Sequence, residues 1–288
     1  MRFAFVKANR AAYPVAALCD VLSVSRSGFY AWVNRPPSAR AGRRAELGDQ
    51  VRAVHEQSRG TYGSPRVAAQ LKAQGVKACE NTVAKVMRAA GIRSKVVRRF
   101  RVRTTDSAHA HPVADNLLGR DFAAAAPDRK WAADITYVPT AEGWLYLAAV
   151  IDLCSRRVVG WAMADHMRAT LCAEALRMAL ARRDPPADRS LVHHSDRGVQ
   201  YACGDYRALL ERHGIACSMS RRGDCYDNAA VESFFKTLKA ELVYHEEYAP
   251  RAQAAAAIFE YVECWYNRRR LHSSLGYRSP EQYERSLN

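Results

Sequence analysis

The stretch WAADITYVPTAEGWLYLAAVIDLCSRRVVGWAM, residues 131–163, contains three short runs rich in β-branched and aromatic residues. The runs are Ile135–Val138, Leu145–Asp152 and Arg157–Met163. Runs of this composition, separated by Gly, Pro and polar residues, are typical of β-strands. The stretch therefore predicts three strands in succession.

Helical and extended patterns alternate after this stretch. Strands are predicted at Leu191–His194 and Ile215–Ser218, and helices at Thr170–Arg183, Cys203–His213, Asn228–Leu242 and Ala252–Tyr266. Three strands followed by helix, strand, helix, strand and helix resemble the order of a ribonuclease H-like fold. We therefore expect an α/β core with a five-stranded mixed sheet flanked by helices.

Three carboxylates lie in this region. Asp134 belongs to the first predicted strand, Asp196 follows the fourth, and Glu232 lies on a predicted helix. Glu232, Lys236 and Lys239 share one face of that helix, because they are spaced by four and three residues. A separate apolar face is formed by Val231, Phe235, Leu238 and Leu242. The first and fourth strands are neighbours in a ribonuclease H-like sheet. Two carboxylates on strand ends and one on a helix can then converge on one point.

Each acid also has a structural explanation when it is taken alone. An Asp at a strand end is commonly a turn or capping residue, and Glu232 with Lys236 could be an exposed i,i+4 pair. The spacing of the acids favours a shared site instead, since 35 residues separate Asp196 from Glu232.

That spacing resembles the catalytic core of DDE transposases and retroviral integrases. The segments that carry the resemblance are WAADITYVPT, YLAAVIDLCSRRVVGWAM, HHSDRGVQY, SRRGDCYDNAAVESFFKTLKAEL and YNRRRLHSSLGYRSPEQYE. Over nearly its whole length the chain is similar to the OrfB transposase of a bacterial insertion sequence of the IS-three type.

The resemblance implies an enzyme that binds the terminal inverted repeats of its element and catalyses metal-dependent 3′-end cleavage and strand transfer. Asp134, Asp196 and Glu232 would be the catalytic residues and metal ligands. Two Mg²⁺ ions are expected, with Mn²⁺ able to substitute. Asp134 would bridge both ions, and the other two acids would each hold one. Hard cations take oxygen ligands, and two of them about 4 Å apart can activate an attacking oxygen and stabilise a leaving one.

The positive charge of the chain is concentrated at its N-terminal end. The 288 residues carry a net charge of +15, and residues 1–110 account for all of it, with 21 Lys and Arg against 6 Asp and Glu. This distribution predicts an N-terminal part that grips a polyanion and a remainder that carries the chemistry.

Residues 13–33 predict a helix-turn-helix. Ser25 is a candidate N-cap of the second helix, in which Phe29, Trp32 and Val33 are expected to face inward. A plain helical hairpin has the same pattern. Arg26 at the start of the second helix favours DNA binding.

A second module is predicted between Leu47 and Ile92, with helical patterns in GDQVRAVHEQSR, SPRVAAQLKAQG and ENTVAKVMRAAG. Asn81 is a candidate N-cap of the last helix, and Lys85 and Arg88 fall on its open face, although such a face is often only solvated. The resemblance places a second helix-turn-helix here. The basic run that follows is expected to track phosphates through Arg98, Arg99 and Arg101.

Further DNA contacts are expected from Lys236, Lys239 and Arg269. Lys236 is also expected to pair with Glu232, whereas Lys239 would lie over the DNA backbone. A basic aromatic patch is predicted in the C-terminal segment, as surface decoration or as a DNA support, from Tyr266, Arg268, Arg269, Arg270 and His272.

Three groups of residues suggest little further chemistry. The eight cysteines show no CxxC pair, which favours reduced structural thiols. His193 and His194 point to opposite faces of a strand, so packing or DNA contact is favoured over metal ligation. Asp152 is expected to be secondary, and Asp227 or Asn228 could cap the Glu232 helix.

No signal peptide or membrane span is predicted, and a cytoplasmic, nucleoid-associated enzyme is expected.

These features divide the chain into residues 1–45, the first helix-turn-helix region; 46–103, the second with its basic arm; 104–126, a linker; 127–245, the catalytic core; and 246–288, a helical and basic extension. The partners expected are double-stranded DNA, further copies of the chain on DNA, and an upstream-frame OrfA protein or a fusion to it. Two alternatives remain: a regulator with an inactive core, and a host nuclease that hydrolyses DNA without joining ends.

Overall fold

The structure is a computed structural model that describes residues 1–36, 38–95, 112–185, 188–221 and 225–287. The basic run with Arg98, Arg99 and Arg101 lies outside the described residues, so these three predicted DNA contacts remain predictions.

The centre of the fold is one five-stranded mixed sheet in the order β3-β2-β1-β4-β5. The strands are β1 (Lys130–Thr140), β2 (Gly143–Asp152), β3 (Val158–Ala164), β4 (Val192–Ser195) and β5 (Ala216–Met219). The first three strands are antiparallel, whereas β4 runs parallel to β1 and β5 runs parallel to β4. This is the predicted five-stranded mixed sheet, and each predicted strand lies within a few residues of the observed one.

Helices cover both faces of the sheet. They are α7 (Ala169–Arg183), α8 (Val199–Ala202), α9 (Gly204–Arg212), α10 (Ala229–Glu241), α11 (Arg251–Glu260) and α12 (Pro280–Arg285). Alternate residues of β1 pack to opposite sides: Ala132 and Val138 toward α10 and α11, and Ala133 and Ile135 toward α7. Asp134 has the same parity as Ala132 and therefore shares the face covered by α10.

Close packing of α7 on β3 depends on Gly160. A Cβ atom at this position would lie 2.1 Å from the carbonyl oxygen of Ala175 and 2.7 Å from the backbone nitrogen of Ala179. Any larger residue would push the helix away from the sheet, so glycine is required by a close approach of two backbones.

The predicted C-terminal helix differs from the observed one. Instead of continuing to Tyr266, α11 ends at Glu260 and the chain goes on as a π-helical segment, Tyr261–Tyr266. This segment buries Tyr261, Val262, Trp265 and Tyr266.

The N-terminal helices are α1 (Arg2–Asn9), α2 (Val15–Val21) and α3 (Arg26–Val33). Ser25 caps α3 as predicted, because its hydroxyl accepts a hydrogen bond from the Gly28 N–H at 3.0 Å. Phe29 is buried as predicted, but the inward orientation predicted for Trp32 is wrong. This ring is 36% exposed because it lies at the rim of the small core, against Phe3 of α1.

The second helical module consists of α4 (Ala39–Gln57), α5 (Ser64–Ala73) and α6 (Glu80–Ala89). The predicted cap at Asn81 is wrong, because α6 already begins at Glu80 and has Cys79 at its N-cap position. The module packs against the C-terminal segment: the ring of Tyr62 lies 5.8 Å from that of Trp265, and its hydroxyl accepts the Leu271 N–H at 2.7 Å. One hydrophobic cluster runs through both parts.

The described part of residues 104–126 packs against the core rather than standing apart from it. The Ser218 hydroxyl on β5 accepts the Leu117 N–H at 2.9 Å, and Leu118 is buried. In the described ranges, none of the helices combines the length and the apolar character needed to cross a membrane.

Candidate active site

Asp134 and Asp196 lie side by side because of the register of their strands. The parallel pairing of β1 and β4 ends at Ala133 and Ser195. Asp134 is the next residue of β1, and Asp196 is the first residue after β4. They line one shallow cleft together with Met167, Gly198 and Tyr201. The two carboxylates therefore converge as expected, although Asp134 lies inside β1 and only Asp196 is at the end of a strand.

Local backbone contacts orient both carboxylates. One oxygen of Asp196, Oδ1, accepts the Gly198 N–H at 2.9 Å, and Oδ1 of Asp134 accepts the Ile135 N–H at 2.8 Å. A Cβ atom on Gly198 would lie 3.0 Å from Asp196 Oδ1, so the tight turn leaves little room for a side chain there.

Glu232 is brought to the same region by α10, in whose first turn it lies. Val231 and Phe235 bury one face of this helix, and the amide of Asn228 donates to the Ala133 carbonyl at 3.1 Å. That bond ties the start of α10 to the residue directly before Asp134. Asn228 occupies the N-cap position of α10, one of the two predicted positions, but its side chain makes no capping hydrogen bond.

Asp227, the residue before Asn228, is the centre of a hydrogen-bond network. Its buried carboxylate accepts hydrogen bonds from Arg221 at 2.8 to 3.0 Å, from Arg120 at 2.9 Å and from Asn116 at 2.8 Å. The hydrogen bonds from Arg221 and Arg120 hold its pKa well below the usual range. Asp227 therefore fixes the segment that leads into α10.

The charges of the other two acids act on Asp134. Removal from water and the charge of Asp196 raise the pKa of Asp134 well above its usual value, and the charge of Glu232 raises it further. The Ile135 N–H and Lys239 act in the opposite direction without cancelling the effect. Asp134 is thus a carboxylate among like charges, and a nearby cation would relieve the repulsion.

The arrangement does not place all three acids around a single point. Within the described ranges, no group of three His, Cys, Asp or Glu side chains is close enough to hold one metal ion. The donors at the cleft are carboxylate oxygens, which suit a hard divalent ion such as Mg²⁺. The donor chemistry fits the expected cofactor, and pairs of acids, rather than all three, are the sets that could share an ion.

Lys239 lies beside Asp134. Its Nζ atom is 5.0 Å from the centre of the Tyr137 ring on β1, and the side chain is half-buried. Burial lowers the pKa of Lys239, whereas the charge of Asp134 raises it. Lys236 is exposed instead, and its Nζ atom lies 3.4 Å from Oε2 of Glu232, which is the predicted i,i+4 pair.

The two histidines before Asp196 are packing residues. His193 lies 3.0 Å from the Tyr206 hydroxyl, and His194 lies 2.8 Å from the Ser218 hydroxyl. Burial lowers the pKa of His193 to about 3 and that of His194 to about 4, so both are neutral near pH 7. Asp152 is also structural, with its carboxylate accepting from Ser155 and from the Asp128 N–H.

The predicted DNA contacts are spread over the surface. Arg26, Lys85, Arg88 and Arg269 are exposed, and the structure does not gather them with the acids. The predicted basic aromatic patch is only partly a surface. Tyr266 and Arg270 are buried. Arg270 forms a bidentate ion pair with Glu241, with N–O distances of 2.7 and 2.9 Å.

Three residues of the site were not predicted. Tyr137 contacts Lys239, Tyr201 lines the cleft of Asp134 and Asp196, and Asn228 ties the start of α10 to β1. The motif HHSDRGVQY contains Tyr201, so its closeness to Asp196 could have been inferred from the sequence. No local signal links Asn228 to Ala133, since 94 residues separate them.

Comparison with known proteins gives the following similarities. One similar solved structure is a simian T-cell lymphotropic virus intasome in complex with the PP2A regulatory subunit B56 gamma. The alignment covers 81% of this chain and 73% of the chain in that structure, with 15% sequence identity and a TM-score of 0.47. A family model for an HTH-like domain matches residues 43–100, and two models for an integrase core domain match residues 124–225 and 232–287.

Two relatives match over almost the whole chain. The uncharacterized 31 kDa protein of insertion element IS600 from Shigella sonnei is 44% identical over 266 residues, 92% of this chain and 97% of that protein. Transposase InsF for insertion sequence IS3A from Escherichia coli K12 is 46% identical over 286 residues, 99% of this chain and 98% of that protein. The chain therefore belongs to the IS3 family of insertion-sequence transposases, which are polynucleotidyl transferases with an integrase core domain.

Proposed function

We propose that this transposase binds the terminal inverted repeats of its element and catalyses metal-dependent cleavage and joining of DNA 3′ ends. The observation that carries the proposal is the pairing of β1 with β4, which sets Asp134 and Asp196 side by side while Asn228 fixes the Glu232 helix against the same strand. Three carboxylates in one region, with elevated pKa at Asp134, suit a divalent-metal site.

The proposed reaction consists of two displacements at phosphorus. Water first breaks the phosphodiester at the 3′ end of the element and frees its 3′ hydroxyl. This hydroxyl then attacks a phosphodiester of the other end or of target DNA, so one bond forms as one breaks and no covalent protein intermediate is needed. Two divalent ions, when bound, supply activation of the attacking oxygen and stabilisation of the leaving oxygen.

The roles of the three acids follow from their placement. The charges of Asp196 and Glu232 both act on Asp134, so Asp134 is proposed to contact both ions, while Asp196 and Glu232 would each hold one. Carboxylates of this kind favour Mg²⁺, and Mn²⁺ is expected to substitute. Both are hard ions that accept an oxygen-only ligand set.

The exposed basic residues are proposed to hold the DNA. Arg26, Lys85 and Arg88 belong to the helical N-terminal modules, and the basic run with Arg98, Arg99 and Arg101 would follow the phosphate backbone toward the core. We propose the same division of labour between residues 1–103 and the catalytic core at 127–245, with 104–126 as the connection and 246–288 as an extension. Assembly of several copies on DNA, an OrfA partner or fusion, and action at the nucleoid belong to the same proposal.

Lys239 provides a test of how α10 faces the DNA. Lys239→Ala should weaken binding to element ends and reduce joining several-fold at moderate salt, with partial recovery at low salt, because a phosphate contact is screened by ions. Binding isotherms and joining assays at several salt concentrations would measure this. Arg285→Ala is the control, since Arg285 is an exposed cation, paired with Glu281, that is not among the proposed DNA contacts. Wild-type behaviour of Lys239→Ala at all salt concentrations would contradict the proposed orientation.

The function itself is tested with purified full-length protein, Mg²⁺ and labelled DNA that carries the ends of the element. The proposal expects nicking at the 3′ ends followed by joined products, and neither product on scrambled ends. Hydrolysis without joining would instead support a nuclease, and binding without either product would support a regulator.

A further inference from the structure

A cavity of about 390 Å³ lies on a side of α10 that the acids do not use. Ser233 and Thr237 line it, and these residues are rotated by roughly a third of a turn from the face of Glu232 and Lys239. The opposite walls come from Arg66 of α5 and from Arg270 and His272 of the C-terminal segment. The cavity therefore joins the second helical module, the catalytic helix and the C-terminal segment.

The cavity has an excess of positive charge. Arg66, Arg156 and Arg270 line it, and no Asp or Glu does. Arg270 is neutralised by Glu241, but Arg66 and Arg156 form no ion pair with any residue in the described ranges. Keeping two half-buried guanidinium groups without a carboxylate partner destabilises the folded state unless an anion binds between them.

The electrostatic effects on neighbouring groups agree with this charge. Burial and the charges of Arg270, Arg66 and Arg156 lower the pKa of His272 to about 2, so all three arginines act on one neutral imidazole. Burial and the charge of Arg270 likewise lower the pKa of Arg66. The cations lie close enough to repel one another.

The rest of the lining suits a phosphate group with its attached sugar. The hydroxyls of Ser233, Ser273 and Ser274 lie around the arginines, whereas that of Thr237 donates to the Ser233 carbonyl at 2.8 Å. Phe122, Phe234 and Tyr266 provide an apolar wall. Guanidinium groups bind phosphate oxygens through paired N–H donors, and hydroxyls add further hydrogen bonds.

We propose that this cavity is a binding site for one backbone phosphate of the DNA strand, separate from the carboxylate cleft. The assignment of this phosphate to DNA rests on the proposed function. Because Arg66 lies on α5 and Ser233 on α10, the bound phosphate connects the DNA-reading module to the helix that carries Glu232. DNA binding thereby stabilises the position of that helix.

The test uses the full-length double variant Arg66→Gln with Arg156→Gln, and Lys72→Ala as the matched control. Lys72 is an exposed cation on α5 that does not line the cavity. In wild type and control, inorganic phosphate should raise the melting temperature of the DNA-free protein, and the double variant should lose this response. Its log–log salt slope of DNA binding should also fall by about 0.9, the value for one phosphate contact. Arg66→Lys with Arg156→Lys should restore both in part, since the charge is retained.

The outcomes separate the possibilities. If the double variant matches the control in both measurements, the cavity is not a phosphate site. If only the response to inorganic phosphate is lost and the salt slope is unchanged, the site takes a free phosphate ion and the assignment to DNA is wrong. A wild-type protein that responds to phosphate but neither binds nor joins element ends would instead contradict the proposed function, which the DNA-free measurement does not require.

Discussion

Replacing Asp134 or Asp196 with Asn, or Glu232 with Gln, should each lower DNA cleavage and joining on the order of 10³-fold or more. The amide keeps the shape of the side chain but removes the charge that a hard divalent ion requires. Binding to element ends should change little, because the excess positive charge of the chain lies in residues 1–110. Gel-based cleavage and joining assays, together with binding isotherms, measure the two properties separately.

Stability provides the control for these three variants. The pKa of Asp134 is raised by its removal from water and by Asp196, which means that the ionised form destabilises the folded state at neutral pH. Asp134→Asn should therefore be at least as stable as wild type without metal ions. Joining at the wild-type rate by a folded variant would remove that residue from the proposed site.

The second large effect is expected at the ion pair of Glu241 and Arg270. Their side chains are only 9% and 6% exposed, and Glu241 also accepts the Tyr261 hydroxyl at 2.9 Å. Burial lowers the pKa of Arg270, but the hydrogen bonds and charge of Glu241 outweigh this and raise it. Glu241→Ala should destabilise the protein by about 3–5 kcal/mol, because it leaves a buried guanidinium without a counter-charge. Chemical denaturation would measure the loss.

A double replacement distinguishes the loss of charge balance from a loss of packing. Glu241→Met combined with Arg270→Met removes both charges and should recover most of the stability lost in Glu241→Ala, as is common for buried pairs exchanged for apolar residues. The explanation would be wrong if the double variant were as unstable as Glu241→Ala. Glu241 is the last residue of α10, the helix that also carries Glu232. If the double variant is stable, its joining activity shows whether the ion pair is needed for catalysis as well as for stability.

The sheet could be predicted from sequence because its signals are local. The strands β1, β2 and β3 each contain a run rich in β-branched or aromatic residues. Asp134 lies within the first of these runs, and Asp196 follows a short apolar run. The neighbouring position of the two acids required the resemblance as well, since local pattern does not reveal which strands pair. Glu232 could be assigned to a face because the apolar residues of α10 recur with helical periodicity.

The errors arise where a distant partner outweighs a local preference. Asn228 has the side chain of a good helix cap, but it bonds to Ala133 on β1 instead. Arg270 lies in a run of basic residues that suggests a surface, but Glu241 on another helix draws it into the interior. These two choices are made by tertiary contacts. In α6, by contrast, the helix begins one residue before Asn81, so the candidate cap became an ordinary helical residue.

The central claim is that Asp134, Asp196 and Glu232 act as metal ligands, and exchanging the ligand together with the metal tests it most directly. Strand joining would be measured for Asp196→Cys and Asp196→Asn, each with Mg²⁺ and with Mn²⁺. A thiolate is a poor ligand for Mg²⁺ but a better one for the softer Mn²⁺. We expect Asp196→Cys to be inactive with Mg²⁺ and to regain part of its activity with Mn²⁺, whereas Asp196→Asn gains much less. Equal loss of joining by Asp196→Cys with both metals, in a folded protein that still binds DNA, would contradict the claim.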